Sequence, residues 1–233
     1  MADAYRIVRT NLEFVRAGRG RFTVLVTSAK PEEGKSTTSA NLAVILAQTG
    51  RRVALVDADM RRPSLHKVFG LPNKAGLSSL FLMDDPQPAG LLNQMPYDNL
   101  RVLTSGPLPP NPTELLASPR MERVLAALKD EAEIVVFDSP PLLGAADASV
   151  LAAQVDGVVL VVDAGRTRSG SVAMAATAVR RAQAPLWGVV LNKLRSDSDA
   201  YYDQSPYYGA RQVADDPSHT LAAFRTAEEG ARP

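Results

Sequence analysis

The residues of this chain that could do chemistry gather at the ends of apolar runs. "TSAKPEEGKSTTSANLA" (27–43) places Gly34, Lys35 and Ser36 after one such run and before a helix-like segment. That order suits a phosphate. Backbone N–H groups of Glu33, Gly34, Lys35, Ser36 and Thr37 at a helix start receive its oxygens, the Lys35 ammonium neutralises its charge, and the Ser36 hydroxyl ligates Mg²⁺. The match to GxxxxGK[ST] is imperfect, since Ala29 stands where the first glycine belongs. The tripeptide alone would fit an ordinary strand-to-helix turn with a capping serine; its setting between an apolar run and a helix favours phosphate binding. Carboxylates end two further runs: "VALVDADMRRP" (53–63) brings Asp57 and Asp59, and "IVVFDSPP" (134–141) brings Asp138. Each alone could be a solvated strand-end residue. Three beside one phosphate loop supply the hard oxygen ligands that suit Mg²⁺.

These groups can converge only if the runs are strands of one sheet. Runs at 22–27, 53–57, 100–104, 134–138, 157–163 and 186–192 are apolar almost throughout, which predicts parallel strands buried on both faces. Helix patterns at 36–49, 119–130, 147–154 and 169–183 alternate with them. The expected fold is a doubly wound α/β domain with a mostly parallel sheet and helices on both faces, binding its ligand at the carboxyl edge of the strands. "SGPLPPNPTELL" (105–116) reads as a proline-rich surface connection with a helix starting near Thr113 or Ser118.

A further amphipathic helix is expected at 3–16, with Tyr5, Val8, Leu12 and Val15 as its apolar stripe and Asp3, Arg6, Arg9, Glu13 and Arg16 along a charged line. The expected division is an N-terminal helix at 1–20, a phosphate-binding domain at 21–194 and a flexible tail at 195–233. That tail is polar and turn-rich, with a weak helix pattern at 219–229. It holds "YYDQSPYY" (201–208), which contains four of the six tyrosines in the chain.

Bulk properties narrow the classes. With 233 residues, 45% hydrophobic, the chain can bury a sizeable core. A net charge of +1 gives no reason to expect nucleic acid. The absence of cysteine removes thiolate chemistry and fits a reducing compartment. Apolar runs such as "LAVILA" (42–47) have six residues against about 20 for a membrane span, and the N-terminus lacks a secretory pattern. A cytoplasmic protein, or the soluble part of something larger, is expected.

Proline before "EEGKS", the DxDxR of Asp57-Ala58-Asp59-Met60-Arg61 and the strand-end Asp138 together resemble the bacterial tyrosine kinases (BY-kinases), P-loop kinases of capsular and exopolysaccharide synthesis related to ParA/MinD-type ATPases. The resemblance runs from residue 3 to about 208, and DxDxR is its most discriminating part. It implies ATP and Mg²⁺ as cofactors, with Ser36, Asp57, Asp59 and Asp138 around the metal. The catalytic set would be Lys35, Asp57, Asp59, Arg61 and Asp138. Asp59 is the first candidate for the base and Asp57 the second; Arg61 would offset charge on the transferred group. Asn192 would read adenine, or else serve only as a strand-end cap. The resemblance also implies autophosphorylation of Tyr201, Tyr202, Tyr207 and Tyr208, in trans within a ring-like homo-oligomer. Asp3, Arg6 and Arg9 correspond to an interface motif ExxRxxR, with aspartate in place of glutamate. A transmembrane activator, fused or separate, would hold the protein at the inner face of the membrane. Glu32 departs from a position often glycine in that family. Lys30 stands where ParA/MinD-type ATPases carry their signature lysine, so an ATPase that switches dimerisation is an alternative, as is a nucleotide-regulated adaptor of a membrane partner.

Overall fold

The computed structural model describes residues 2–15 and 20–194. The tyrosine cluster and the 219–229 pattern lie outside the described residues. Four strands are buried at every position: β1 (Phe22–Ser28), β2 (Val53–Asp57), β5 (Ile134–Asp138) and β6 (Gly157–Asp163). They form the middle of a seven-stranded sheet completed by β3 (Asn93–Gln94), β4 (Leu100–Leu103) and β7 (Leu186–Asn192), in the order β3-β4-β2-β5-β1-β6-β7. All neighbours are parallel except β3, which runs antiparallel to β4.

Alternate residues of a strand point to opposite faces, so the sheet feeds two cores. Val24 and Val26 enter one, with α1 (Ala2–Val15) and α2 (Lys35–Ala47). Leu25 enters the other, with α6 (Pro119–Glu131), α7 (Asp147–Ala152) and α8 (Ser169–Arg181). Helix α2 is buried continuously from Thr38 to Ala47, as a helix must be when it lies under another helix and on a sheet.

The six expected strands and the helices at 36–49, 119–130, 147–154 and 169–183 are present, the last ending at Arg181. Two short helices were not anticipated, α3 (Leu65–Val68) and α4 (Leu77–Leu80), whereas α5 (Pro112–Ala117) meets the helix start expected near Thr113. The proline-rich connection is thus helical in its second half, where Pro112 opens α5 at a position that needs no N–H donor. In α1, Leu12 is buried against α2 and the sheet and Val8 packs beside it, but Val15 is half exposed and Phe14 protrudes. The expected four-residue stripe therefore packs only through its earlier members.

The chain crosses from β5 to β6 over the central β1, so the strand order reverses there. The loop after β1 opens into the crevice made by that reversal, where ligands of open parallel sheets bind.

Candidate active site

The loop between β1 and α2 turns through two left-handed residues, Glu32 (φ 64°) and Gly34 (φ 92°). Ala29 is buried and needs no such conformation, which explains why alanine can stand at the first glycine position. Gly34 is required twice over: a Cβ there would lie 2.0 Å from Asn192 Nδ2. From the loop, Lys35 opens α2 and sends its ammonium to Asp59, at 3.1 Å from Oδ2, with the Ser36 hydroxyl 3.3 Å away.

The three anticipated carboxylates converge. Asp57 and Asp138 are register partners at the ends of β2 and β5. Asp57 is fully buried; one oxygen accepts the Ser64 and Leu65 N–H groups at 3.0 and 2.9 Å, the other the Asp59 N–H at 3.2 Å. It therefore braces the β2–α3 loop. Asp59 accepts the Arg62 N–H through Oδ1, which leaves Oδ2 to Lys35. Asp138 accepts the Ser39 hydroxyl through Oδ1, while its buried Oδ2 has no protein partner.

Charge is unbalanced here. Burial, reinforced by Asp138, pushes the Asp57 carboxyl up to about 7, and burial pushes Asp138 up to about 6 against the pull of Lys35. Burial alone would lower the Lys35 ammonium, but Asp138, Asp59 and Asp57 hold it above its ordinary value, so it stays charged. Three acids facing one lysine, with a bare carboxylate oxygen among them, fit a further cation. Among the described residues no group of three or more acids, histidines or cysteines forms a metal cage of its own. A cation here would need the Ser36 hydroxyl, water and phosphate oxygens to complete its shell, a donor set that suits Mg²⁺.

Comparison with known proteins agrees with this geometry. A ParA family model, described as NUBPL iron-transfer P-loop NTPase, matches residues 20–216. The tyrosine-protein kinase YwqD of Bacillus subtilis (strain 168) is 40% identical over 210 residues, covering 90% of this chain and 87% of the relative. The putative tyrosine-protein kinase CapB of Staphylococcus aureus is 37% identical over 209 residues, 90% of each chain. This chain belongs to the bacterial tyrosine-protein kinases. The solved kinase domain of the Escherichia coli tyrosine kinase ETK superposes with a TM-score of 0.79 at 28% identity, covering 92% of this chain and 80% of that one. The fold is that of a nucleotide-binding P-loop NTPase, and membership makes the chain a tyrosine-protein kinase by class.

Other anticipated residues of this kinase lie elsewhere or make different contacts. Arg61 is bound through Nε and Nη2 to the Asp147 carboxylate at 2.7 and 3.0 Å, and Nη2 also meets Thr113. Its guanidinium is thus spent on α7 and α5. Asn192 donates its amide to the Glu33 carbonyl at 2.9 Å, a contact with the phosphate loop itself. In α1, Arg6 pairs with Asp3 of the same helix and Arg9 approaches Glu13 at 3.8 Å, while its buried Nε lacks a hydrogen-bond partner. Three contributors were not foreseen: Ser39 on Asp138, Asp147 on Arg61, and Thr167, whose hydroxyl donates to Glu33. Ser39 was findable, lying one helical turn after Lys35. Asp147 is 86 residues from its partner and Thr167 134 residues from its own, and no local pattern links such pairs.

Proposed function

We propose that this protein transfers the γ-phosphoryl group of ATP to tyrosine hydroxyls, its own Tyr201, Tyr202, Tyr207 and Tyr208 first among them, in trans within a homo-oligomer. The contact between Lys35 and Asp59 carries the reading, because it joins the phosphate loop to the DxDxR segment at the carboxyl edge of the sheet. Mg²⁺, when bound, would neutralise phosphate charge, with Ser36 and Asp138 as its nearest holders and Asp57 behind them. The chain's own groups do the remainder. Amides of the 33–37 turn hold phosphate oxygens, and Lys35 exchanges its partner Asp59 for them. Asp59, released from its ion pair, then stands free to accept the proton of a tyrosine hydroxyl, a group that ordinarily stays neutral at pH 7. Both oxygens of Asp57 already accept backbone N–H groups, which favours Asp59 as the base. Arg61, held on Asp147, would position the DxDxR loop in place of touching phosphate.

The relatives' kinase names, and the capsular and exopolysaccharide setting that the resemblance implies, favour a role in polysaccharide synthesis with a transmembrane activator that brings the protein to the inner membrane face. Among the described residues no helix is long and apolar enough to cross a membrane. Incubation with Mg²⁺-ATP followed by mass-spectrometric mapping tests the reading. Phosphotyrosine within 201–208, lost on Lys35→Met, is the expected outcome. Free phosphate in stoichiometric yield with none on tyrosine would instead select the ATPase that Lys30 suggests.

A further inference from the structure

The carboxylate of Glu33, whose own amide belongs to the phosphate turn, is tied to protein groups. It is 3% exposed, and both of its oxygens are engaged: Oε2 accepts the Lys30 N–H at 2.8 Å, and Oε1 accepts the Thr167 hydroxyl from the β6–α8 loop. Two more side chains from the same edge reach the same turn. Asn192 donates to the Glu33 carbonyl, and Lys193 donates to the Glu32 carbonyl at 2.5 Å while its ammonium also lies 3.0 Å from Asp163. Apart from the Lys30 N–H within the turn itself, these donors come from the end of β7 or the loop after β6.

Burying a carboxylate is costly unless donors saturate it, and a non-glycine residue persists in the left-handed region only where its surroundings impose it. Here both occur side by side, at Glu33 and at Glu32. The contacts from Thr167, Asn192 and Lys193 are what impose them.

We infer that Glu33 is a positioning residue. With Thr167, Asn192 and Lys193 it forms a clasp that fixes the 30–34 backbone in its phosphate-accepting shape before nucleotide arrives. This rests on the reading of the loop as a phosphate site. Amides aligned in advance need no reorganisation on binding, so loosening the clasp weakens every ligand that puts a β-phosphate in the turn. Nucleotide affinity is then set partly at β6 and β7, by side chains that act through the backbone of the loop.

The test uses the full chain, with calorimetric titration of Mg²⁺-ATP and Mg²⁺-ADP and initial rates of tyrosine labelling across ATP concentrations. Thr167→Val removes the hydroxyl at nearly constant volume. It should raise the dissociation constants of both nucleotides and the KM for ATP about tenfold, the loss of one hydrogen bond to a charged group, with a much smaller change in the maximal rate. Thr167→Ser keeps the donor and should restore affinity, whereas a residue acting through packing alone would not be rescued by the smaller hydroxyl. Wild-type affinity in Thr167→Val, or equal impairment in Thr167→Ser, overturns the clasp. Should Thr167→Val fail to fold, Lys193→Met decides at a half-exposed position: weaker binding of both nucleotides supports the clasp and unchanged binding overturns it. A wild-type chain that binds neither nucleotide sinks the phosphate-site reading itself, an outcome distinct from failure of the clasp alone.

Discussion

At the residue scale, Asp138 shows a conflict between stability and chemistry. Its buried Oδ2 has no protein partner, and burial raises its pKa to about 6. A carboxyl whose folded pKa lies above its unfolded one keeps its proton in the folded state alone between those two values. The folded state of the ligand-free protein therefore loses stability as pH rises from about 4 towards 6, and Asp57 extends that loss to about 7. Asp138→Asn should flatten part of this slope. At pH 8, without nucleotide, it should stabilise the protein by on the order of 1 kcal/mol, or about 2–4 °C in melting temperature, while abolishing Mg²⁺-dependent labelling. Scanning calorimetry from pH 5 to 8 checks it, and a variant less stable than wild type at pH 8 contradicts the account. The convergence of Lys35, Asp57, Asp59 and Asp138 was legible in the sequence because each ends or follows a buried strand, and parallel strands bring such ends to one edge. The brace that Asp57 provides was not legible, since its acceptors are spent on backbone N–H groups of a turn with no side-chain signature.

Among the elements, the long strands and helices were legible from their apolar patterns, whereas α3, α4 and the two-residue β3 are too short to carry a period. They exist because neighbouring structure satisfies them, as Asp57 satisfies the N-terminus of α3. Helix α1 shows the reverse case. Its apolar stripe was visible, but packing uses only part of it, and Leu12 is its one fully buried anchor. Leu12→Ala should cost about 2–5 kcal/mol if α1 unfolds together with the body. Should α1 instead detach first, urea unfolding would split into two transitions and α1 amides would exchange early. A single transition at the wild-type midpoint would show that Leu12 does not anchor the helix.

For the whole molecule, two faces of the sheet are covered by helices, and α1 stands outermost on one of them with Ile7, Phe14 and Val15 exposed beside Asp3 and Arg6. Arg6 is already paired with Asp3 within its helix, so an intermolecular partner must replace that contact rather than satisfy a free charge. Joint replacement of Arg6 and Arg9 by alanine should lower the mass seen by light scattering towards the monomer and slow tyrosine labelling in trans, with nucleotide affinity unchanged. A wild type that is monomeric under every condition would remove the interface assignment. At the opposite end of the sheet from the carboxyl edge, Trp187, the second residue of β7, sets its ring against Gly157, where a Cβ would fall 2.0 Å from an indole carbon, and 5.7 Å from the Phe22 ring. It is the chain's single tryptophan, and it packs on the core that holds Leu12 of α1. The protein thus contains its own optical probe at a distance from its chemistry. Movement of the N-terminal helix or of the sheet beneath should therefore change the indole emission, since the ring packs on the core that both share.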